Sequence, residues 1–375
     1  MAQGFSLKDQ LFNVEKIRYL AGLFRDADPS FDHEGFQRKV MERLLELELK
    51  QRIDLIADVL SGFLPSEFLK AADLIGAALP PPLDAEKLDD DFGDFIFAPL
   101  GEYVVTHGLE RHRERSMQLF EQLTQRFSME FALRPFLNRW PEETLSDLKG
   151  WLDHPHYHVR RLASESTRPK LPWGKKIGLK PSDPIPLLDR LHSDPTRFVT
   201  RSVANHLNDI AKTDSSLVVQ TLEKWHSEAR QDAKELQWMT RHALRTLAKL
   251  GDPAALGLLG YRHAAEVTVT KLKVSPETLA IGEAMDFSFV LNADADEPLL
   301  IDYVIDFAKA GAKTSTKVFK LKMLVLKAGH GLELKKTHRF KGDATTFTLY
   351  PGTHQLGIQV NGRVLAKVPF ELTSA

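Results

Sequence analysis

The chain has no cysteine among its 375 residues, which excludes disulfide scaffolds, zinc fingers, iron–sulfur clusters and thiol nucleophiles. It also lacks the run of about 18 uncharged apolar residues that a membrane helix needs. Its start, MAQGFSLKDQLFNVEKIRYL, has no continuous apolar segment of the secretory kind. No P-loop, GxGxxG, GxSxG or HExxH pattern occurs, so phosphate-cradle, dinucleotide, serine-hydrolase and zincin mechanisms have no footing. Neither sign of charge is in surplus: 50 Lys and Arg stand against 51 Asp and Glu. With 43% apolar and 27% charged residues, the remainder is an ordinary globular composition, long enough for about two or three domains. These absences lead us to expect a cytoplasmic protein with no cofactor, no metal and no membrane association.

The balanced total hides an uneven distribution. Residues 1–100 hold 11 basic and 19 acidic side chains, residues 101–264 hold 25 and 20, and residues 265–375 hold 14 and 12. Between Arg111 and Arg201 the count is 17 against 11, and ten of the 14 histidines lie in residues 101–264. Clustering of cations in the middle of the chain is the footprint expected of a polyanion-binding face, although a solvated helix surface gives similar counts.

From residue 6 to about 260 the apolar residues follow helical spacing, as in Phe36, Val40, Leu44 or Leu55, Ile56, Val59, Leu60. Turns fall at Asp28-Pro29, Pro80-Pro81-Pro82 and Asp89-Asp90-Asp91. Near Glu266 the period changes. VTVTKLKVS, MDFSFVLN, STKVFKLKMLVL, LELKKTHRF, TTFTLY, HQLGIQV and RVLAKVPFEL alternate or are β-branched and aromatic, the pattern of strands. Asn361-Gly362 between the last two predicts a two-residue hairpin, since a type I′ turn needs positive φ at both central positions. About seven strands in this span predict an Ig-like β-sandwich. The expected organisation is therefore multidomain: an all-α solenoid over 1–263 followed by an all-β sandwich over 264–375.

The helical part repeats. Val159, Val199 and Met239 are spaced 40 apart, as are Arg161, Arg201 and Arg241, and Ala163, Val203 and Ala243. Two helices per ~40 residues is the period of HEAT-type arrays, which stack into a curved binding platform. Four residues beyond each arginine stand Glu165, Asn205 and Arg245, and upstream Glu130 and Arg134 have the same spacing, so a polar stripe is expected along one face. An alternative for the three arginines is a ladder to the aspartate of a preceding turn, such as Asp153 or Asp194. Glu165 and Asn205 vary across the repeat and are better candidates for a site. Between the repeats, RPKLPWGKKIGLKPSDP sets Arg168, Lys170, Lys175, Lys176 and Lys180 around Trp173. Its prolines predict an ordered loop, and a tryptophan among cations suits stacking on a sugar or base; the alternative is that Trp173 plugs a gap between repeats. His154, His156 and His158 are read as a polar turn entering a helix in preference to a metal site.

At FSMEFALRPFLNRWPEETL, HVRRLASESTRPKLPWG, FVTRSVANHLNDIAK and MTRHALRTLAKLGDPAALGLLG the chain resembles the AlkC family of alkylpurine DNA glycosylases, HEAT-like proteins related in architecture to AlkD. The resemblance runs from about residue 10 to 262, and a C-terminal Ig-like module is carried by a subset of the family. One departure is Ser166 before Thr167, where the pattern leads us to expect Gly. The resemblance implies excision of cationic N-alkylated bases from double-stranded DNA, 3-methyladenine foremost and 3-methylcytosine as a further candidate, without full base flipping and as part of base excision repair. It also implies a monomer in the bacterial cytoplasm, associated with the nucleoid during repair. Carried over motif by motif, Glu130 and Glu165 are the carboxylates that stabilise the sugar cation and position water, and Trp173 contacts the sugar or backbone at the lesion. Arg168 and its basic neighbours Lys170, Lys175 and Lys176 hold flanking phosphates, with Arg134, Arg161, Arg201, Asn205, Arg241 and Arg245 completing the DNA-binding set. Lys309, Lys313, Lys317, Lys320 and Lys322 either close around the duplex or protect a sheet edge. The rival readings are a non-catalytic HEAT scaffold and a protein that binds damaged DNA without cutting it.

Overall fold

The 40-residue interval marks what the helices bury. In a computed structural model that describes residues 6–87, 89, 91–311, 313–342 and 347–374, Val159, Val199 and Met239 are fully buried, and so are Ala163, Val203 and Ala243. They lie on the helices Tyr157–Glu165, Arg197–Ile210 and Ala233–Ala243, which pack side by side in sequence order. Among the described residues no helix is long and apolar enough to cross a membrane.

The chain forms two compact units. The first comprises Met1–Val218 with Lys224–Ala243, and the second Val219–Glu223 with Leu244–Ala375. In the first, helices begin where side chains accept the free N–H groups of the first turn. Asp32 accepts from Gly35 at 2.9 Å and Asp214 from Leu217 at 3.0 Å, while Pro141 opens the helix Pro141–Gly150. Ladders between successive repeats are present, but Arg160 makes the one to Asp194 at 2.6 Å, and Arg190 and Arg197 pair with Asp153 and Glu235. Asp194 and Asp153 are therefore paired by arginines other than Arg161. The helix carrying Arg241 ends at Ala243, and Arg245 starts the short helix Arg245–Leu250 in the second unit, so this repeat does not set its arginines four apart on one continuous helix as expected.

The second unit contains the helices Arg245–Leu250 and Pro253–Leu258 and a β-sandwich. Its strands are β1 (Val267–Ser275), β2 (Thr278–Ala280), β3 (Ala284–Ala293), β4 (Glu297–Ala308), β5 (Thr314–Leu326), β6 (Leu332–Arg339), β7 (Gly352–Val360) and β8 (Arg363–Thr373). One sheet has the order β1-β3-β6 and the other β2-β8-β7-β4-β5. All pairs are antiparallel except β2 with β8. Phe287, Phe289, Ile301, Ile305, Leu356, Ile358 and Phe370 fill the core between the sheets.

Two strand expectations need correction. β4, absent from the sequence reading, is a central strand, and every residue from Leu299 to Val304 is buried. Its outward Leu300 packs with Ala248 and Leu256 of the two short helices, so both faces are covered and the alternation that marks a strand is lost. The predicted strand TTFTLY is not formed over 347–350, and Thr345 and Thr346 lie outside the described residues, as does Asp90 of the acidic turn.

The Asn361-Gly362 hairpin is present, with φ of 45° and 79°. Asn361 is fully buried and its side chain receives the Leu300 amide at 2.8 Å and donates to the Arg262 carbonyl at 2.8 Å. A Cβ on Gly362 would meet the Gly251 Cα at 2.0 Å. Gly362→Ala therefore combines positive-φ strain with a backbone clash, and should lower the unfolding free energy of the second unit by at least about 1–3 kcal/mol, read as a lower thermal midpoint in a melt against wild type.

Candidate active site

Arg161 lies between two carboxylates. Its Nη1 donates to Glu130 Oε2 at 3.0 Å, and Nη2 stands 3.6 Å from Glu165 Oε2. Glu130 is the first residue of the helix Glu130–Arg139, where the positive end of the helix dipole favours an anion, and Ser128 donates to the same Oε2 at 2.6 Å. Among the described residues Oε1 of Glu130 accepts no hydrogen bond. Glu165 closes the helix Tyr157–Glu165 and is 4% exposed. Both of its oxygens are engaged: Oε1 by Arg168 at 2.6 Å and Oε2 by Ser202 at 2.6 Å. Burial by itself would raise the Glu165 pKa, but the charges of Arg161 and Arg168 and the hydrogen bonds from Ser202 and Arg168 outweigh it and hold the carboxyl below the usual range. Arg168 continues to Asp209 at 2.9 Å, and Asp209 to Lys212 at 3.0 Å. The result is a line of alternating charge through three helices.

Aromatic rings back the arginine. The Arg161 guanidinium sits 4.5 Å over the Phe198 ring. His158, buried against Phe198, is pushed down to about 3 by burial and then by the Arg161 charge, so it stays neutral and adds no competing cation. The three histidines hold a neighbouring segment: the Nε2 atoms of His156 and His158 lie 2.9 Å from the carbonyls of Leu83 and Asp91, and His154 Nδ1 accepts from the His156 amide.

The basic loop is ordered from beneath. Arg134 is 1% exposed and donates to the carbonyls of Ser166 and Arg168, each at 2.8 Å, and of Lys175. Asn138 adds Lys176 O at 2.8 Å and the Gly178 amide at 3.1 Å, and Lys50 donates to Trp173 O at 2.8 Å. Burial, then the nearby Arg168, lower the Arg134 pKa to about 10, which leaves it charged. Held this way, Trp173 takes φ of 63° and is 62% exposed. Positive φ is an outlier for a bulky side chain, and such strain persists only where the surroundings enforce it. Trp173 is therefore no gap-filler.

The expected DNA-binding residues divide. Lys170, Lys175, Lys176 and Arg241 are exposed. Arg134 and Arg168 face inward, with guanidinium groups spent on loop carbonyls and on Glu165 and Asp209, so the expectation that they contact phosphates does not fit their placement. Nor is the expected Glu130–Arg134 pair made. Arg201 pairs with Asp89, Asn205 Oδ1 lies 2.8 Å from His242 Nε2, and Arg245 is part-buried. On β5, an edge strand, Lys320 and Lys322 are exposed and Lys317 lies 3.3 Å from the Phe347 ring centre, while Lys309, just after β4, lies 3.6 Å from the same ring. Ser128, Ser202, Asp209 and Lys50 were missed. A signal existed for two of them: Ser202, His206 and Asp209 recur at i, i+4, i+7 on the buried face of a helix, where polar residues need a reason.

The chain is similar to known proteins over both of its parts. Residues 109–247 match the family model described as "DNA alkylation repair enzyme", and residues 268–374 match "Uncharacterised protein YhaZ, C-terminal Ig-like domain". The chain is 34% identical to the uncharacterized protein YhaZ of Bacillus subtilis (strain 168), covering 97% of this chain and 98% of the relative. It is also 34% identical to the alkylpurine DNA glycosylase AlkC of Pseudomonas fluorescens, solved bound to DNA containing an abasic site analog. That match covers 98% of this chain and 100% of the other, with a TM-score of 0.88.

Arg134→Ala leaves three loop carbonyls without a donor, at roughly 1–3 kcal/mol for each that stays buried. The expected outcome is a destabilised first unit and faster tryptic cleavage at Lys175-Lys176 in the native state. Arg134→Lys should not restore protection, because one ammonium on a flexible stem cannot reproduce the planar fork.

Proposed function

The chain belongs to the AlkC family of alkylpurine DNA glycosylases, and on that premise we propose that it hydrolyses the N-glycosidic bond of N-alkylated, positively charged bases in double-stranded DNA. The observation that carries this reading is the pair of carboxylates joined by Arg161. The substrates assigned are 3-methyladenine first and 3-methylcytosine second, and the product is an abasic site for base excision repair. All the residues invoked lie within 1–263, the part to which we assign DNA binding and catalysis.

Alkylation makes the base a good leaving group, so no acid is needed to protonate it. When the C1′–N bond breaks, the electron pair goes to the base and neutralises it, while positive charge develops on the deoxyribose. Fixed carboxylates facing that charge lower the barrier, as in glycoside hydrolysis. Water then adds to C1′ and gives up a proton. We assign the water to Glu130, because its Oε1 is open and its Oε2 is fixed by Ser128 and Arg161. Glu165, with both oxygens engaged, acts as a fixed negative charge, and Arg161 positions both. Trp173, exposed and held from below, packs on the sugar or backbone at the lesion. Since the cation is cleaved without protonation, full extrusion of the base is unnecessary.

Glu130→Gln should lower the melting temperature less than Glu165→Gln does, because Glu165 still faces Arg161, and should keep its affinity for abasic DNA, while single-turnover release of 3-methyladenine falls on the order of 10²-fold. Glu165→Gln should lose a similar factor and also stability, on the order of 3–5 kcal/mol, because it leaves two buried arginines under-compensated. Wild-type release by both variants would remove the carboxylate mechanism, and no base release by the unaltered chain would favour binding without cutting. Separately, Lys175→Ala and Lys176→Ala should weaken DNA binding regardless of sequence, each flattening the slope of log K against log salt by about 1; an unchanged slope in both removes the loop from the phosphate contacts.

A further inference from the structure

Beside Ser128 and Trp173 the first unit holds a cavity of about 410 Å³, most of whose wall has no part in the mechanism above. Its size falls within the range of ligand pockets, about 300–1,000 Å³. The cavity adjoins the reaction centre in sequence and in space: Ser128, Met129 and Phe131, which flank Glu130, line it, and Trp173 borders it. The wall is largely apolar, with Phe131, Pro135 and Met129, and Glu102 and Asp54 are its acidic groups. Lys50 and Lys175 line it too, but the Lys50 ammonium is given to the Trp173 carbonyl. Glu102 is part-buried, and burial, eased by Lys175 and reinforced by Asp54, pushes its carboxyl above the usual range.

Flat apolar surfaces with carboxyl groups in the wall suit one class of molecule. A nucleobase has two apolar faces and a polar edge with an exocyclic amine, and a carboxyl group accepts from that amine in either protonation state. Two acids stand against two lysines in the wall, so it offers no surplus of positive charge to select a phosphate or a nucleotide. The reaction assigned above also creates such a molecule next to this space, because the severed base leaves with the electron pair and is neutral. We propose that the cavity receives the severed base, with Phe131 against one face and Glu102 and Asp54 taking its amine. The inference rests on the glycosylase reading, and it gives a base that is cleaved without full extrusion somewhere to go.

The test uses the full chain and free 3-methyladenine as the probe, by equilibrium dialysis without DNA and by inhibition of excision from methylated duplex. Saturable binding with Kd on the order of 0.1 mM is expected, as for a fragment-sized ligand. Glu102→Gln and Phe131→Ala should each weaken it at least about tenfold, with excision in the absence of added base unchanged. Hypoxanthine, which carries an oxo group in place of the amine, should bind more weakly than adenine. No saturable binding, wild-type affinity in Glu102→Gln, or hypoxanthine binding as well as adenine overturns the proposal. Should Phe131→Ala fail to fold, the conservative Glu102→Gln still decides it. Dialysis needs no catalysis, so the two readings fail separately. Binding without base release from DNA sinks the glycosylase and keeps the cavity, whereas release without binding sinks the cavity alone.

Discussion

Two carboxylates cannot stay ionised near one another in a poorly hydrated interior unless cations lie between or beside them. Here that condition is met by Arg161, shared between Glu130 and Glu165, and by Arg168 on the far side of Glu165. Extended through Arg168 to Asp209, the arrangement ties the start of one helix and the ends of two others into one electrostatic unit. Buried ion pairs of this kind add little net stability over a well-packed apolar core, because desolvation consumes most of the Coulombic gain. A line of four charged groups from Glu130 to Arg168, extended to Asp209, is thus a poor investment for folding alone. It is well suited to holding fixed negative charge where positive charge develops.

The same arginine chemistry shapes the loop above it. Arg134 and Arg168 sit under residues 166–176, one bonding carbonyls and the other bonding acids, so the loop backbone is fixed at several points. Gly174 lies so close to Arg134 that a Cβ there would come within 3.0 Å of its Nε. With the chain held down on both sides, the strain of a left-handed Trp173 is concentrated at one residue, and the indole is left in solvent. Exposure of a large ring on an anchored backbone loses little entropy when a ligand arrives, which distinguishes it from an exposed ring on a loose loop.

Much of this was legible in the sequence, and the reasons for the rest are particular. The 40-residue interval worked because Val159, Val199 and Met239 answer one demand, burial against the next repeat. The alternation of β3, and the turn residues Asn361-Gly362, worked because period and φ preference are local properties. β4 escaped because short helices cover its second face and erase the alternation. Arg134 and Arg168 were misplaced for a different reason: residue type says cation, and only the path of the loop back over the helix Glu130–Arg139 decides that these cations point inward. Likewise Arg160 and Arg161 are neighbours in sequence, yet one makes the repeat ladder and the other the site, because 100° of helix rotation separates them.

Charge counts by segment mislead in the same way. The acidic front of the chain is not a separate acidic surface. Asp73 pairs with Arg115 and Asp89 with Arg201, so part of its excess is neutralised by cations from the middle segment, including a residue expected to face DNA. Among the described residues the side-chain ammonium groups of Lys170, Lys175, Lys176 and Lys180 form no salt bridge, and all four lie in the loop that presents Trp173. Four cations without a carboxylate partner thus surround Trp173 in one short loop. The net charge of −1 is compatible with a polyanion ligand for that reason: attraction depends on where the unpaired cations stand, within about one Debye length of the contact, and not on the sum over the chain.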